Sequence, residues 1–278
     1  MKPQARKLRS LLLALVVASL HVTTCAQTPA PKAPDAGKAQ AAKTQTVAFV
    51  GVNVVPMDRE RVLENQTVVV RDGRIAEIGP AAKTKVPEGA LRVEARGKYL
   101  MPGLAEMHGH LPHPNTPPAV ADSLLLLFVA NGVTTVRGMY GFPNHVALRE
   151  RAARNEILAP TLYVAGPALS GQSVQSPSAA DTLVREHKQA GYDLLKVHEG
   201  LSREAYDRIV ATANEVKIPF GGHVADAVGL PHAIKSRQSS VEHMDGYLEA
   251  LEADDSPIRN ADPQTRAQKL LEHLDERK

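Results

Sequence analysis

Apolar and polar positions follow two different patterns along the chain, and the pattern changes near residue 101. Before that point, short β-branched runs such as 47–50 and 68–70 are separated by Gly, Pro and Asp. Arg71-Asp72-Gly73-Arg74 predicts a hairpin turn, because Asp-Gly adopts the positive φ angles that two-residue hairpin loops need. Residues 47–100 are therefore expected to form a β-sandwich (composite) subdomain.

From residue 101 onward, apolar strands alternate with helical segments. The predicted strands cover 103–110, 132–138, 161–165, 193–198, 219–224 and 239–244, and the predicted helices cover 119–131, 145–155, 181–190, 203–216 and the segment from 262 onward. Repeated βα units predict a parallel sheet with helices outside it. The segment lacks a Gly-rich dinucleotide fingerprint, which favours an α/β fold with a TIM-like β/α barrel over a doubly wound sheet. Residues 101–278 would supply about six of its eight strands.

The N-terminus has the pattern of an export signal. Four basic residues precede the apolar segment 11–20, and Thr24-Cys25-Ala26 supplies small residues for cleavage, so residues 1–26 are expected to be a signal peptide of a secreted or periplasmic protein. A lipoprotein signal at Cys25 is the less favoured alternative, because Thr24 is a poor residue before a lipidated cysteine. Residues 27–46 are rich in Ala, Pro, Lys and Gln, which predicts a disordered linker.

Charge and composition exclude several classes of partner. The net charge is +3, yet seven Lys and Arg against one Asp lie in the first 46 residues, so the remainder is slightly acidic. Aromatic residues make up 4% and Trp is absent, which argues against nucleic-acid binding. After signal cleavage no stable membrane span is expected. Cys25 is the single cysteine, so a metal in the folded body must be held by nitrogen and oxygen. Homo-oligomer formation remains open.

Histidines end three of the predicted strands. His108 and His110 are two residues apart on the first strand and share a face. His223 lies near the end of the fifth strand and His243 near the end of the sixth. Active sites of β/α barrels form at the carboxyl ends of the strands. Each histidine could be a core residue bonded to backbone carbonyls, but three such coincidences are less plausible than one metal centre.

Lys196 lies near the end of the apolar fourth strand. Burial without a partner disfavours the ammonium, lowers the pKa and leaves a neutral amine. Such an amine can take up carbon dioxide, and the resulting carbamate can bridge two metal ions. The alternative is a lysine that extends to solvent or pairs with Glu199.

Four segments in order resemble motifs of the amidohydrolase superfamily, in its imidazolonepropionase and Xaa-Pro dipeptidase branch. They are MPGLAEMHGH (101–110), DLLKVHEG (193–200), GHVAD (222–226) and VEH (241–243). The resemblance spans roughly residues 46–250. It implies an amidohydrolase that cleaves carbon–nitrogen bonds in amides, cyclic amides or Xaa-Pro dipeptides by metal-activated hydroxide. It also implies a divalent metal, expected to be zinc, as one or two ions. The implied ligands are His108, His110, Lys196 (carboxylated if two ions bind), His223 and His243.

The family's catalytic aspartate on strand eight has no counterpart before Lys278. The chain is therefore expected to be a C-terminally truncated form with weak or no activity and no catalytic residue of its own. The alternatives are a non-catalytic metal-binding paralogue and a lactonase or phosphotriesterase on the same scaffold. The expected partner is a small-molecule or dipeptide substrate, with His198, Arg137 and Tyr140 as candidate contacts.

Polar residues beside these motifs have more ordinary interpretations. Glu106 could orient a ligand or pair with a helix, and Asp245 is predicted to cap the helix after the sixth strand. The remaining histidines are predicted to be surface residues: His113, His145, His187, His232 and His273.

Overall fold

The computed structural model describes residues 45–275; the predicted signal peptide and most of the predicted linker lie outside them. The first part is one five-stranded mixed sheet in the order β3-β2-β1-β4, with β5 also paired to β1. Its strands are β1 (Val47–Val54), β2 (Leu63–Arg71), β3 (Arg74–Pro80), β4 (Leu91–Glu94) and β5 (Tyr99–Leu100).

The predicted hairpin is confirmed between β2 and β3. Arg71 pairs with Arg74 across the turn, and Asp72 and Gly73 have φ angles of 52° and 71°. Alternate β-branched residues such as Val52 and Val68 form a small core on one face of the sheet. Within residues 45–275 this sheet has no second sheet belonging to the same subdomain, so the sandwich remains a prediction.

The rest of the described chain alternates strands and helices, as predicted. The strands are β6 (Leu104–Gly109), β7 (Val133–Gly138), β8 (Thr161–Val164), β9 (Leu195–Val197) and β10 (Phe220–Gly222). The helices are α1 (Pro118–Ala130), α2 (His145–Ala153), α3 (Pro177–Gln189), α4 (Arg203–Val216), α5 (Leu230–Lys235), α6 (Tyr247–Leu251) and α7 (Pro263–Lys269), followed by a 3-10 helix (Leu270–His273).

These strands are neighbours in chain order, and all of their pairings are parallel. β6 pairs with β7 and β7 with β8, single bridges join Ala165 to Leu194 and Leu169 to Val197, and β9 pairs with β10. A bridge from Gly222 to Val241 adds the sixth segment. This is the parallel α/β arrangement that the sequence predicted.

The predicted sixth strand, 239–244, is wrong in extent. Only Val241 forms a bridge, and the chain then leaves the extended conformation because His243 and Met244 have φ angles of 58° and 60°. Left-handed backbone at two consecutive residues cannot continue a strand. The segment therefore ends in a turn that presents its side chains differently from a regular strand.

Helix α3 begins earlier than predicted, at Pro177. The Ser176 side chain accepts a hydrogen bond from the Ala179 backbone N–H, and proline occupies the first helical position, where its missing N–H costs nothing. Ser202 caps α4 in the same way. Both helices pack on β9 and β10, whose buried apolar side chains Leu195, Val197 and Phe220 each contribute about 1.5–3 kcal/mol. The packing of α3 and α4 thus stabilises β9 and β10, which carry Lys196 and lead into His223.

In the part of the chain that the structure describes, none of the helices combines the length and apolar character that crossing a bilayer would require.

Candidate active site

The four predicted ligand histidines and His198 meet at the carboxyl ends of the strands. Neighbouring imidazole centroids lie 5.6 Å apart for His110 and His108, 4.7 Å for His108 and His243, 4.8 Å for His243 and His223, and 4.2 Å for His223 and His198. They line a cavity of about 460 Å³ together with Met139, Tyr140 and Lys196. The structure therefore brings all five predicted ligands to one cavity.

The meeting of His108 and His243 requires a strongly curled sheet. His108 lies on β6, the first parallel strand, whereas His243 follows the sixth segment. In a flat sheet these segments would lie about 24 Å apart, given roughly 4.8 Å between neighbouring strands. Side chains could not bridge that distance, so the two ends of the sheet approach each other around the cavity.

A buried carboxylate orients His108. Nδ1 of His108 lies 2.6 Å from an oxygen of Glu242, which fixes the ring and leaves Nε2 available for a ligand. Glu106 adds a second constraint, because its carboxylate accepts a hydrogen bond of 2.7 Å from the His108 backbone N–H. Carboxylates in this position are characteristic of metal-binding histidines.

Glu242 is itself held by two further residues. The Arg137 guanidinium donates to its Oε1 at 2.7 Å, and the Ser240 hydroxyl donates to the same atom at 2.6 Å. Burial by itself would raise the pKa of Glu242, but the hydrogen bonds from Ser240 and His108 and the charge of Arg137 together lower it. Glu242 is thus an anion at neutral pH.

His223 has the same arrangement with a different carboxylate. Its Nδ1 lies 2.8 Å from Asp245, which also accepts a weaker hydrogen bond from the Val224 backbone N–H. The prediction that Asp245 caps the following helix is wrong, since α6 begins at Tyr247 with Gly246 at its cap position. Two of the four histidines are therefore fixed through Nδ1 by a carboxylate.

Lys196 is buried, with 2% of its surface exposed, at the base of the cavity. Burial lowers its pKa, and nearby Arg137 adds to that effect, while the carboxylates of Glu242 and Asp245 oppose it. The pKa of His110 is also lowered, first by burial and then by His108 and Lys196. The lowered pKa of each group shifts its equilibrium toward the neutral form, which is the form that donates an electron pair.

The donor groups of the cavity match a divalent metal site in their chemistry but not in their spacing. Among residues 45–275, no group of three or more His, Cys, Asp or Glu side chains surrounds one point closely enough to hold an ion. The chemistry of the donor set nevertheless fits a divalent cation: imidazoles with Nδ1 engaged by carboxylates, a lysine with a lowered pKa and no thiolate. The assignment of individual ligands stays a prediction.

The three predicted substrate contacts lie in different surroundings. Tyr140 and His198 line the cavity, with Tyr140 46% exposed. Arg137 lies within β7, and its guanidinium bonds the Met107 carbonyl and Ser240 in addition to Glu242. Arg137 is thus engaged in a buried ion pair with Glu242.

Two histidines predicted to lie on the surface are buried. His145 and His187 are 1% and 7% exposed. His145 bonds backbone groups of two loops, and His187 packs between Gly166 and the Tyr192 ring. The only feature of the sequence that could have indicated this burial is the presence of apolar residues near each histidine on an otherwise polar helix.

Glu242 was the functional residue that the sequence analysis missed. Adjacent residues of a regular strand face opposite ways, so Glu242 would be expected to point away from His243. The left-handed backbone at His243 removes that alternation, and both side chains reach the same site. The sequence signal that could have indicated Glu242 is its position directly before the candidate ligand His243.

Comparisons of sequence give partial matches to enzymes of known activity. No protein-family model matches the chain. A dihydroorotase from Anaeromyxobacter sp. (strain K) is 34% identical over 103 residues, which is 36% of this chain and 22% of that protein. An adenine deaminase from Paracoccus denitrificans (strain Pd 1222) is 32% identical over 82 residues, 30% of this chain and 13% of that protein. The matched region is thus a small part of each relative.

Solved structures match more of the chain. A putative prolidase from Bifidobacterium longum has a TM-score of 0.60 and 25% identity over 69% of this chain and 52% of its own. Bottromycin amidohydrolase has a TM-score of 0.64 and 21% identity, covering 84% of this chain and 50% of its own. A Xaa-Pro dipeptidase with bound methionine has a TM-score of 0.58 at 15% identity. The chain spans about half the length of the first two of these structures. With the ordered motifs, these likenesses confirm the predicted resemblance of the chain to the amidohydrolase superfamily.

Proposed function

We propose that this chain is part of a metal-dependent hydrolase that cleaves carbon–nitrogen bonds, built on a β/α barrel of which residues 101–278 form six βα segments. One observation carries the proposal. Two imidazoles from the first and fifth parallel strands of the curled sheet, His108 and His223, each have Nδ1 bonded to a carboxylate at a shared cavity. A purely structural role requires neither this pairing nor its convergence.

The predicted ligands are His108, His110, His223 and His243, with Lys196 between them. A divalent cation, which we expect to be zinc, would act there as a Lewis acid, lowering the pKa of water and polarising a carbonyl group. The chain's own residues prepare this site. Glu242 and Asp245 hold two imidazoles in fixed orientations, and burial lowers the pKa of Lys196, which favours the neutral amine that can be carboxylated if two ions bind.

In this proposal the carboxylates of the site orient the histidine ligands. Glu242 and Asp245 are already engaged by His108 and His223, so we assign them to ligand orientation and not to proton transfer. Tyr140 and His198 are the candidate contacts for substrate, because both line the cavity.

The proposed substrates contain an amide bond, as in a Xaa-Pro dipeptide or a cyclic amide. The support is indirect: structural neighbours include a putative prolidase and a Xaa-Pro dipeptidase, and one sequence relative is a dihydroorotase. The cavity of about 460 Å³ would accommodate a molecule of dipeptide size.

Metal binding and hydrolysis test this proposal separately. The purified chain would be dialysed against zinc with bicarbonate, and the bound metal would be counted by mass spectrometry. His223→Ala should lose bound zinc, whereas His273→Ala, in the 3-10 helix, should not. The loaded protein would then be offered Xaa-Pro dipeptides, dihydroorotate, a lactone and a phosphotriester. Zinc binding without any turnover would fit both the weak or absent activity expected of this chain and the non-catalytic alternative, whereas ester cleavage alone would indicate the lactonase or phosphotriesterase. Absence of bound metal would contradict the proposal.

We also propose export, with residues 1–26 as signal peptide, 27–46 as linker, 47–100 as β-subdomain and 101–278 as barrel domain. The support is the basic and apolar pattern of the N-terminus. N-terminal sequencing of the protein from the periplasmic fraction should begin near residue 27. A mature protein that begins at a lipidated Cys25 would favour the lipoprotein alternative, and an intact Met1 would contradict export.

A further inference from the structure

His145 joins two loops at the rim of the cavity. The Phe142 backbone N–H donates to Nδ1 of His145 at 3.3 Å, and Nε2 donates to the Pro112 carbonyl at 3.1 Å. Pro112 belongs to the loop that follows β6 and His110, whereas Phe142 belongs to the loop that follows β7 and Tyr140. One imidazole therefore connects two loops, one of which lies 33 residues before it in sequence.

Burial fixes the bonding pattern of this imidazole. His145 is 1% exposed, and desolvation lowers its pKa, with a smaller opposite effect from the hydrogen bond to Pro112 and a further lowering by His113. The neutral ring carries its proton on Nε2, since Nδ1 must accept from a backbone N–H. Both ring nitrogens are thus committed to backbone partners.

The loop held by His145 carries Tyr140 to the cavity through a series of aromatic contacts. The Phe142 ring meets His145 edge-on at 5.4 Å and Tyr140 at 5.4 Å, and Tyr140 lies 5.6 Å from His110. Gly141, between the two aromatic residues, approaches the Ala165 carbonyl so closely that no Cβ would fit. The loop therefore has little freedom once His145 is in place.

We propose that His145 is a positioning residue that ties the loop after β6 to the loop after β7 and thereby holds the Tyr140 ring beside His110 as one wall of the cavity. The wall would favour substrates with an apolar side chain next to the scissile bond. That last statement rests on the proposed function, whereas the tether itself does not.

Two substitutions separate the tether from a local effect at the start of α2. In His145→Asn the side-chain oxygen reaches about as far as Nδ1, so it can accept from Phe142 but cannot reach Pro112. In His145→Gln the amide nitrogen reaches about as far as Nε2, so it can donate to Pro112 while the bond from Phe142 is lost. The variants form a matched pair of polar, uncharged side chains.

Amide hydrogen exchange measured by mass spectrometry distinguishes the roles without any assay of catalysis. We expect His145→Asn to speed exchange about 2- to 10-fold in segment 110–117, the factor expected for loss of one hydrogen bond, and to leave segment 139–144 largely protected because Asn still accepts from Phe142. His145→Gln should retain most of the protection in 110–117. The proposal would be overturned if His145→Asn matched the wild type in 110–117, or if His145→Gln lost protection there as fully as His145→Asn.

A kinetic measurement then links the tether to substrate selection. For a dipeptide that the wild type hydrolyses, His145→Asn and His145→Gln should each raise KM more for a large apolar side chain than for glycine, with kcat less affected, because each variant loses one of the two bonds that tie the loops together. Equal KM changes for both substrates would refute the selection by Tyr140. If the wild type hydrolyses none of the substrates, as the expected weak or absent activity allows, the exchange result alone decides the role of His145, and zinc binding alone decides the proposed function.

Discussion

Replacing Arg137 by Met tests whether the buried ion pair under His108 organises the candidate site. The side chains of Arg137 and Glu242 are 16% and 9% exposed, and their charged groups lie 2.7 Å apart. Methionine retains much of the volume but removes the donors to Glu242, Ser240 and the Met107 carbonyl. The Glu242 carboxylate would remain buried without a cation directly bonded to it.

The expected cost follows from that burial. Removing one partner of a buried pair typically destabilises a protein by about 3–5 kcal/mol, because the remaining charge is poorly solvated. The exposed pair Arg185–Glu215 provides a matched control, with side chains 43% and 62% exposed. An exposed pair contributes about 0.2–1 kcal/mol. The two pairs should therefore differ several-fold in their effect on stability.

Urea unfolding of the single and double variants measures the pairwise term. Arg137→Met, Glu242→Gln and their combination form a double-mutant cycle, and we expect a coupling of about 2 kcal/mol at pH 7, within the range for bonded pairs. The lowered pKa of Glu242 means that its contribution is fully present above the ordinary carboxyl value of 4.5 and is lost as pH falls through the folded-state pKa. A coupling no larger than that of Arg185–Glu215, or one unchanged at pH 3, would refute the reasoning.

Three further predictions follow from the described contacts. Asp245→Asn should weaken zinc binding about 10- to 100-fold in a competition titration, because it weakens the acceptor that orients His223. Gly141→Ala should lower the free energy of unfolding by several kcal/mol, since its Cβ would overlap the Ala165 carbonyl. Burial lowers the pKa of His187 below 6.5, so the unfolded chain binds more protons and stability should fall as pH drops below 6.5; His187→Leu should flatten that dependence by up to about 1.4 kcal/mol per pH unit.

Each of these predictions has a control or a contrary outcome. Asp226→Asn changes an exposed carboxylate near His223 and should leave zinc affinity unchanged; an equal loss would point to a general charge effect. Gly73→Ala introduces a Cβ into open space at a φ of 71°, so only about 1 kcal/mol of backbone strain is expected. If both glycine variants cost the same, steric overlap at Gly141 is not the cause. An unchanged pH profile in His187→Leu would show that the buried His187 imidazole is not the cause of the pH dependence.

The fold was largely predictable because local patterns determine its elements. Asp72-Gly73 specified the hairpin, and helix α4 has the predicted limits, Arg203 to Val216, since Ser202 caps it and the left-handed Lys217 ends it. The sixth segment was not predictable from its apolar run. Its shape depends on positive φ angles at His243 and Met244, and neither residue type predicts that conformation.

The candidate metal ligands could be predicted from the sequence, but the carboxylates that orient them could not. The positions of the histidines at strand ends follow from the two-residue period and the order of the strands. The partners of those histidines depend on how far the sheet curls, which is a property of the whole packing arrangement. His108 and Glu242 illustrate this, because they are 134 residues apart and meet only when the sheet closes on itself.

That separation has a kinetic consequence. Closing a loop of this length requires a large loss of chain entropy, so contacts such as His108–Glu242 form after the more local strand and helix pairings. A cation that needs ligands from both ends of the sheet would find no assembled binding site early in folding. Its stabilising effect should therefore appear chiefly as slower unfolding, with the refolding rate little changed.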